Sequence, residues 1–202
     1  MNHPARLPRG RHHLSRADVA GQQRARILTA LADVLTERGY AATPVAAVIE
    51  RAGVSRETFY QRFASKQDCF IAALEDAVGE LATSLSAALE APQKTPLERY
   101  DDMLHSYLDT LAAHPAMARL FLVETYAAGP EAMRRRLELQ QQFVDGLART
   151  FGARTSAERF ACEALVAATV SLVTARFVTG ELRGLGALRP SLVALAGRLL
   201  PP

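Results

Sequence analysis

The sequence is short of the residues that catalytic, metal-binding and secreted proteins usually carry. It has two cysteines, Cys69 and Cys162, and no metal-ligand or redox spacing relates them. Each is expected to be either an oxidation sensor or, more commonly for an isolated cysteine, a small buried hydrophobe. No GxSxG, GxxxxGK or HExxH pattern occurs, so the nucleophile elbow, the phosphate loop and the helical zinc site are all missing. His12 and His13 are adjacent but have no further ligand nearby, so neither a metal nor a cofactor is expected and the chain does not read as an enzyme. No secretory signal is read at the N-terminus, which leaves a reducing cytoplasm as the expected compartment. The longest uncharged apolar run, Ala164–Ala175, is too short to span a bilayer. It reads as a buried helix, and no membrane partner is expected. Alternating strand patterns, internal repeats and low-complexity tracts are also missing. The expected fold class is all-α.

What is present is a chain of 202 residues, enough for one or two domains with a sizeable core. Charge is unevenly placed along it. Through Asp68 there are 11 Lys+Arg and 6 Asp+Glu, whereas the remainder is slightly acidic; the whole chain carries a formal +3. The basic part is the part suited to phosphate.

That part contains the most informative stretch, residues 41–68. Thr43 is expected to cap a helix with Pro44 at its first position, where a missing N–H costs nothing. Val45, Val48, Ile49 and Ala52 follow at helical spacing, and Gly53 permits a turn. Ser55 is placed to cap a second helix, with Glu57 in its positive first turn. Phe59 and Phe63, four apart, give that helix an inward edge, while Arg56, Thr58, Tyr60, Gln61 and Arg62 form a donor-rich outer face. Two short helices about a glycine turn, the second with a polar face, make a helix-turn-helix pattern whose second helix enters the DNA major groove.

The stretch resembles the DNA-binding domain of the tetracycline-repressor (TetR) family of transcriptional regulators. The residues that carry the resemblance are Thr43, Val45, Val48 with Ile49, Ala52–Ser55, Thr58, Phe59, Tyr60, Phe63 and Lys66. Two places depart from the family pattern. Ile49 stands where a small Ala is usual, and Glu57 stands where Gly or Pro is frequent. The resemblance implies a set of DNA-binding candidates: Thr43, Ser55, Arg56, Thr58, Tyr60, Gln61, Arg62 and Lys66. Of these, Lys66 would meet a phosphate at the start of the fourth helix.

Around this stretch the chain divides into three parts: residues 1–15, a basic arm or a disordered tail; 16–65, the helix-turn-helix domain; and 66–202, a regulatory, ligand-binding and dimerisation domain. Helix is expected over Arg16–Arg38, with Ile27, Leu28, Leu31, Val34 and Leu35 inward and Gly39 as the stop; Arg24 and Arg26 face either phosphate or water. Ser65 with Asp68 opens a long helix to about Ala91, bounded by Pro92. Thr95 with Glu98 and Thr155 with Glu158 read as capping boxes for later helices. Between them, Gly129–Pro130 opens a helix with Met133, Leu137, Val144, Leu147 and Phe151 inward; its Arg134–Arg136 run reads as a solvated face. The helix after Thr155 is apolar on nearly all sides over Leu165–Val173, more than one core requires. A last helix runs from about Pro190 to Leu200.

The resemblance further implies that the last two helices pair with those of a second subunit and that the homodimer binds a palindromic double-stranded DNA operator. The helices between would enclose a pocket for a small, largely apolar organic effector that releases a repressor. Polar candidates for that pocket are His105, Tyr107, Arg119, Glu124, Tyr126, Gln141 and Arg176. Two other readings fit the same residues: a DNA-binding regulator controlled by a protein partner, and an all-α small-molecule-binding protein.

Overall fold

The computed structural model describes residues 16–89 and 93–200, and the side chains of residues 18–85 and 93–200. Residues 1–15, read above as an arm or tail, and Pro92 lie outside the described residues. Helices are the only extended elements among those described, as composition led us to expect. They are α1 (Arg16–Arg38), α2 (Val45–Ala52), α3 (Arg56–Tyr60), α4 (Lys66–Leu89), α5 (Pro96–Ala113), α6 (Pro115–Leu122), α7 (Pro130–Phe151), α8 (Ser156–Thr179) and α9 (Arg189–Leu199). Short 3₁₀ turns cover Glu124–Tyr126 and Leu182–Leu188.

Most boundaries follow from local chemistry. At α5 and α8 the capping box is complete: Thr95 and Thr155 accept from the N–H of Glu98 and Glu158, whose carboxylates reach back to the cap backbone. Each such cap contributes about 1 kcal/mol. At α4, Ser65 accepts from the Asp68 N–H at 3.0 Å, but the Asp68 carboxylate accepts from Ala64 rather than from Ser65. Thr43 departs from expectation. Pro44 itself is the N-cap of α2, and the Thr43 hydroxyl donates backwards to the Gly39 carbonyl at 2.7 Å, closing the end of α1.

The inward stripe of α1 packs on α2, α4 and α6, and Ile27 and Leu31 are fully buried. Arg24, left open between phosphate and water, makes a bidentate pair with Asp76 on α4 at 2.5 and 2.9 Å. At 24 residues, α4 is about 36 Å long. It touches α1, α5, α6 and α7, so it belongs to both halves of the molecule. One connected core runs from Phe59 and Phe63, through Phe70 and Leu74, to Leu108, Leu147 and Val173.

Helix α7 departs from its expected inward face at one position. Leu137 is 54% exposed, whereas Val144 and Leu147 are buried as expected. Phe151 packs half-buried on the core, and Ala132, Arg136, Leu139 and Ala148 are buried as well. The stripe spaced 132, 136, 139, 143 and 147 faces the core, and it places an arginine there. Burial of Arg136 (4% exposed) corrects the reading of Arg134–Arg136 as one solvated run. Only Arg134 and Arg135 behave as expected, pairing with Glu131, Glu138 and Glu75.

Helix α8 holds the apolar run and extends it. By length and composition alone it is long and apolar enough to cross a membrane, although its uncharged stretch is short. Only 28% of its most apolar 18 residues are buried within the chain, so α8 is not simply a core helix. Phe160 and Val178, five turns apart, stand out on one side, and Leu172 is exposed about a third of the way round the helix; Leu195 and Leu199 of α9 are exposed as well. The α9–α5 contact is fixed by a bidentate pair between Arg189 and Asp101 at 2.6 and 2.7 Å.

Candidate nucleic-acid interface and effector cavity

The helix-turn-helix is built as its residues suggest. Gly53 takes the left-handed conformation, with φ 61°, that ends α2. Ser55 then caps α3 by accepting from the Thr58 N–H at 3.0 Å, and the two hydroxyls lie 2.9 Å apart. Phe59 is buried against Phe63 with ring centroids 5.7 Å apart, which fixes the rotation of α3. The opposite side presents Arg56, Tyr60, Gln61 and Arg62 to solvent. The Arg56 guanidinium lies over the Tyr60 ring at 5.5 Å, and Gln61 donates to Glu57 at 3.1 Å. Glu57 thus holds a neighbouring donor in place, and Ile49 is half-buried against the core.

Two of the eight DNA candidates point elsewhere. The Thr43 side chain is buried, bonded to Gly39. Lys66 Nζ donates to the carbonyls of Tyr40 and Thr43 at 2.8 and 2.9 Å and sits 4.1 Å from the centre of the Tyr40 ring. Partial burial holds its amine below the usual lysine value. Both residues tie down the loop between α1 and α2, behind the exposed face of α3.

That loop is also where the two halves meet. The Glu124 carboxylate, 5% exposed, accepts from the Tyr40 N–H at 2.8 Å and from Arg119 at 3.1 Å. Gln67, at the start of α4, donates to the Ala128 carbonyl at 3.0 Å. Gly129 follows with φ 97°, and a Cβ there would come within 3.3 Å of Gln67 Nε2, so glycine answers both the backbone and the close approach.

Beyond this junction, α4, α5, α6, α7 and α8 enclose a cavity of about 60 Å³. Leu81, Leu85, Leu104, Phe143, Leu147 and Val166 form most of its wall, and Tyr100, Tyr107, Gln140 and Thr169 are its polar residues. That volume holds about two waters, and ligand sites are generally several times larger. Burial pushes both phenols up in pKa, and neither hydroxyl has a hydrogen-bond partner. For Tyr100 the neighbouring Thr169 hydroxyl acts in the opposite direction on its pKa but donates to the Leu165 carbonyl at 2.8 Å, and it offers the phenol no bond of good geometry.

Of the seven polar pocket candidates, only Tyr107 lines this cavity. His105 is on the surface near Asp109, Gln141 is exposed and bonded to Asp145, and Arg176 pairs with Glu181. Arg119 and Glu124 belong to the junction described above, and Tyr126 is 62% exposed. Tyr100 and Leu104 share the inward stripe of Tyr107, so the α5 wall was legible in the sequence. Gln140, four residues before buried Val144 and seven before buried Leu147, lines the cavity and was missed in favour of its neighbour Gln141.

Arg136 stands just outside this wall. Its guanidinium lies 5.2 Å from the centres of both the Phe121 and Tyr126 rings, and Phe121 lines the cavity. Its Nη1 has only long contacts, 3.5 Å to the Tyr126 hydroxyl and 3.9 Å to Met133 Sδ, and its Nε has no partner. Arginine stays protonated in proteins, and removing a cation from water costs several kcal/mol. Two ring contacts return only about 0.5–2 kcal/mol each.

A capped helix-turn-helix joined through a long helix to an all-helical, cavity-containing body is the architecture of the described residues. Residues 27–73 match the profile of the bacterial regulatory proteins of the tetR family. Two relatives come from Mycolicibacterium smegmatis. The HTH-type transcriptional activator FasR is 27% identical over 110 residues, 54% of this chain and 50% of that one. The HTH-type transcriptional regulator EthR is 28% identical over 153 residues, 75% of this chain and 65% of its own length. The matches thus span about half to two-thirds of those relatives. Among solved structures, the transcriptional regulator FadR from Bacillus subtilis in complex with stearoyl-CoA superposes with a TM-score of 0.73 at 19% identity, covering 88% of this chain and 97% of that one. FadR from Bacillus halodurans gives 0.72 at 20% identity, with 88% and 94% covered. These likenesses establish the fold.

Proposed function

We propose that the protein is a cytoplasmic, homodimeric transcriptional regulator that binds a palindromic DNA operator and is released by a small organic effector. Residues 16–65 would act as the DNA-binding domain and residues 66–202 as the regulatory and dimerisation domain. The observation that carries this reading is the construction of α3. Buried Phe59 sets its rotation, so that Ser55, Arg56, Thr58, Tyr60, Gln61 and Arg62 lie on or beside one outward face. Such a face suits base edges and phosphates, and Thr43 and Lys66 would support it from behind. The exposed apolar sides of α8 and α9 favour a two-fold pairing with a second copy, and a two-fold dimer reads a palindrome by symmetry. The apolar cavity favours a largely apolar effector, which must open it further to enter. The HTH-type transcriptional activator FasR, the HTH-type transcriptional regulator EthR and the Bacillus subtilis FadR in complex with stearoyl-CoA are compatible precedents.

The test is fluorescence anisotropy with DNA fragments from the region surrounding the gene, at two salt concentrations. Retention of one fragment against competitor DNA, with two chains bound per site, supports the reading. Equal affinity for all fragments would reject it.

A further inference from the structure

We propose that the end of the cavity at Arg136 and Tyr107 seats an anionic head group, so that the effector is an amphiphile with one oxyanion on an aliphatic body. The proposal rests on the reading of this cavity as the effector site and names the chemistry the site selects. Two buried donors of this region are unused: the Tyr107 hydroxyl and the Arg136 Nε–H, both on residues more than nine-tenths buried. Tyr107 lines the cavity, and Arg136 lies over the ring of Phe121, which also lines it. The Arg136 charge is felt at Tyr107, where it opposes the effect of burial on the phenol. No carboxylate lies within ion-pair distance of Arg136 among the described residues, although Arg134 and Arg135 beside it both have partners. A buried guanidinium stacked between rings lacks one component, an acceptor in its own plane, and a carboxylate or phosphate oxygen supplies it. The apolar remainder of the cavity takes the tail. Met103, Phe143, Val166 and Val170 are the apolar wall residues only partly buried in the core, and of these the unbranched Met103 adapts most readily.

The same geometry connects the head group to DNA binding. Arg136 stacks on Tyr126, and the 3₁₀ turn Glu124–Tyr126 also carries the carboxylate that holds the Tyr40 N–H. An oxyanion that draws the guanidinium toward the cavity loosens its stack on that turn.

The test uses the full chain and three probes of one tail length, dodecanoate, dodecanoyl-CoA and the neutral dodecanol, with affinities from titration calorimetry. At least one anionic probe is expected to bind more tightly than dodecanol. Arg136→Met should weaken that probe by about 10- to 100-fold, the loss expected for one charge-assisted hydrogen bond, and leave dodecanol unchanged. Tyr107→Phe should weaken it less, and Arg136→Lys should restore part of the loss, which guards against a folding defect in the methionine variant. Tighter binding of dodecanoate identifies a carboxylate; tighter binding of the CoA ester identifies its phosphates. The proposal is overturned if dodecanol binds as well as both anions, if no anionic probe binds, or if Arg136→Met leaves anion affinity unchanged. Dodecanol binding that releases DNA would leave the ligand-released regulator standing without the head-group site. Failure to retain any DNA fragment would reject the regulator and leave the binding result intact.

Discussion

The Glu124 carboxylate accepts a hydrogen bond from the backbone N–H of Tyr40 at 2.8 Å, across 84 residues of sequence. It joins the turn after α6 to the loop that precedes α2, so the wall of the cavity and the support of α3 share one buried contact. Such a contact transmits a change only if ligand and DNA prefer different arrangements of it, and the coupling is then reciprocal.

Glu124→Ala should therefore cost about 1–3 kcal/mol of stability, the penalty for leaving a buried donor unpaired. Arg119, partly exposed, should rehydrate and not add to the loss. In the variant, saturating effector should change DNA affinity less than in the parent, and calorimetry with and without operator reads both sides of that cycle. Full retention of the ligand effect would remove the contact from the pathway.

Lys66 invites a choice between phosphate and structure. With its amine on two carbonyls, Lys66→Ala should lower stability by about 1–3 kcal/mol. The salt dependence of DNA binding should hardly move. If instead the slope falls by about 0.9 per subunit while the melting temperature holds, the amine serves phosphate and not the loop.

On α3, exposed Tyr60 and buried Phe59 should separate cleanly. Tyr60→Ala is expected to abolish operator binding at a stability cost within about 1 kcal/mol. Phe59→Ala should cost about 3–5 kcal/mol by emptying a core position. Chemical denaturation beside DNA anisotropy measures both, and the reverse pattern would mean that α3 presents its other face.

The α8–α9 surface should be sensitive to charge. Leu172→Glu and Val178→Glu alter side chains that are exposed within one chain, so the fold itself should tolerate them. In the dimer they would bury an unpaired carboxylate. Analytical ultracentrifugation should show a monomer, with DNA affinity reduced; dimers of normal affinity would place the subunit contact elsewhere.

Burial pushes the Cys69 thiol up to about 12. At pH 8 only about one thiol in ten thousand is then the reactive thiolate, against a substantial fraction in an unfolded chain. Cys162 is shifted in the same direction. Iodoacetamide should label neither until denaturant is added. The unfolded chain gives up the Cys69 proton first, so stability should decline as pH rises from about 9 toward 12. Rapid labelling of the native protein would revive the redox reading of these residues.

The sequence by itself determined what is decided within one or two turns. Thr95 with Glu98, Thr155 with Glu158, Ser55 before Thr58, and the glycines at 39, 53 and 152 set helix ends through groups at most four residues apart. The helix-turn-helix was legible for that reason, down to the inward Phe59 and outward Tyr60. The tertiary structure alone decided where long side chains end. Lys66 was readable as a cation but not as the clasp of a loop 23 and 26 residues earlier. Glu124 was readable as polar but not as the partner of Tyr40. On α7, Val144 and Leu147 were legible as inward, but the burial of Arg136 in place of Leu137 was not. The rings of Phe121 and Tyr126, brought close by a turn that no local signal specifies, receive the Arg136 guanidinium. A helix fixes the spacing of its own side chains, but the face it buries is chosen by the neighbours it packs against.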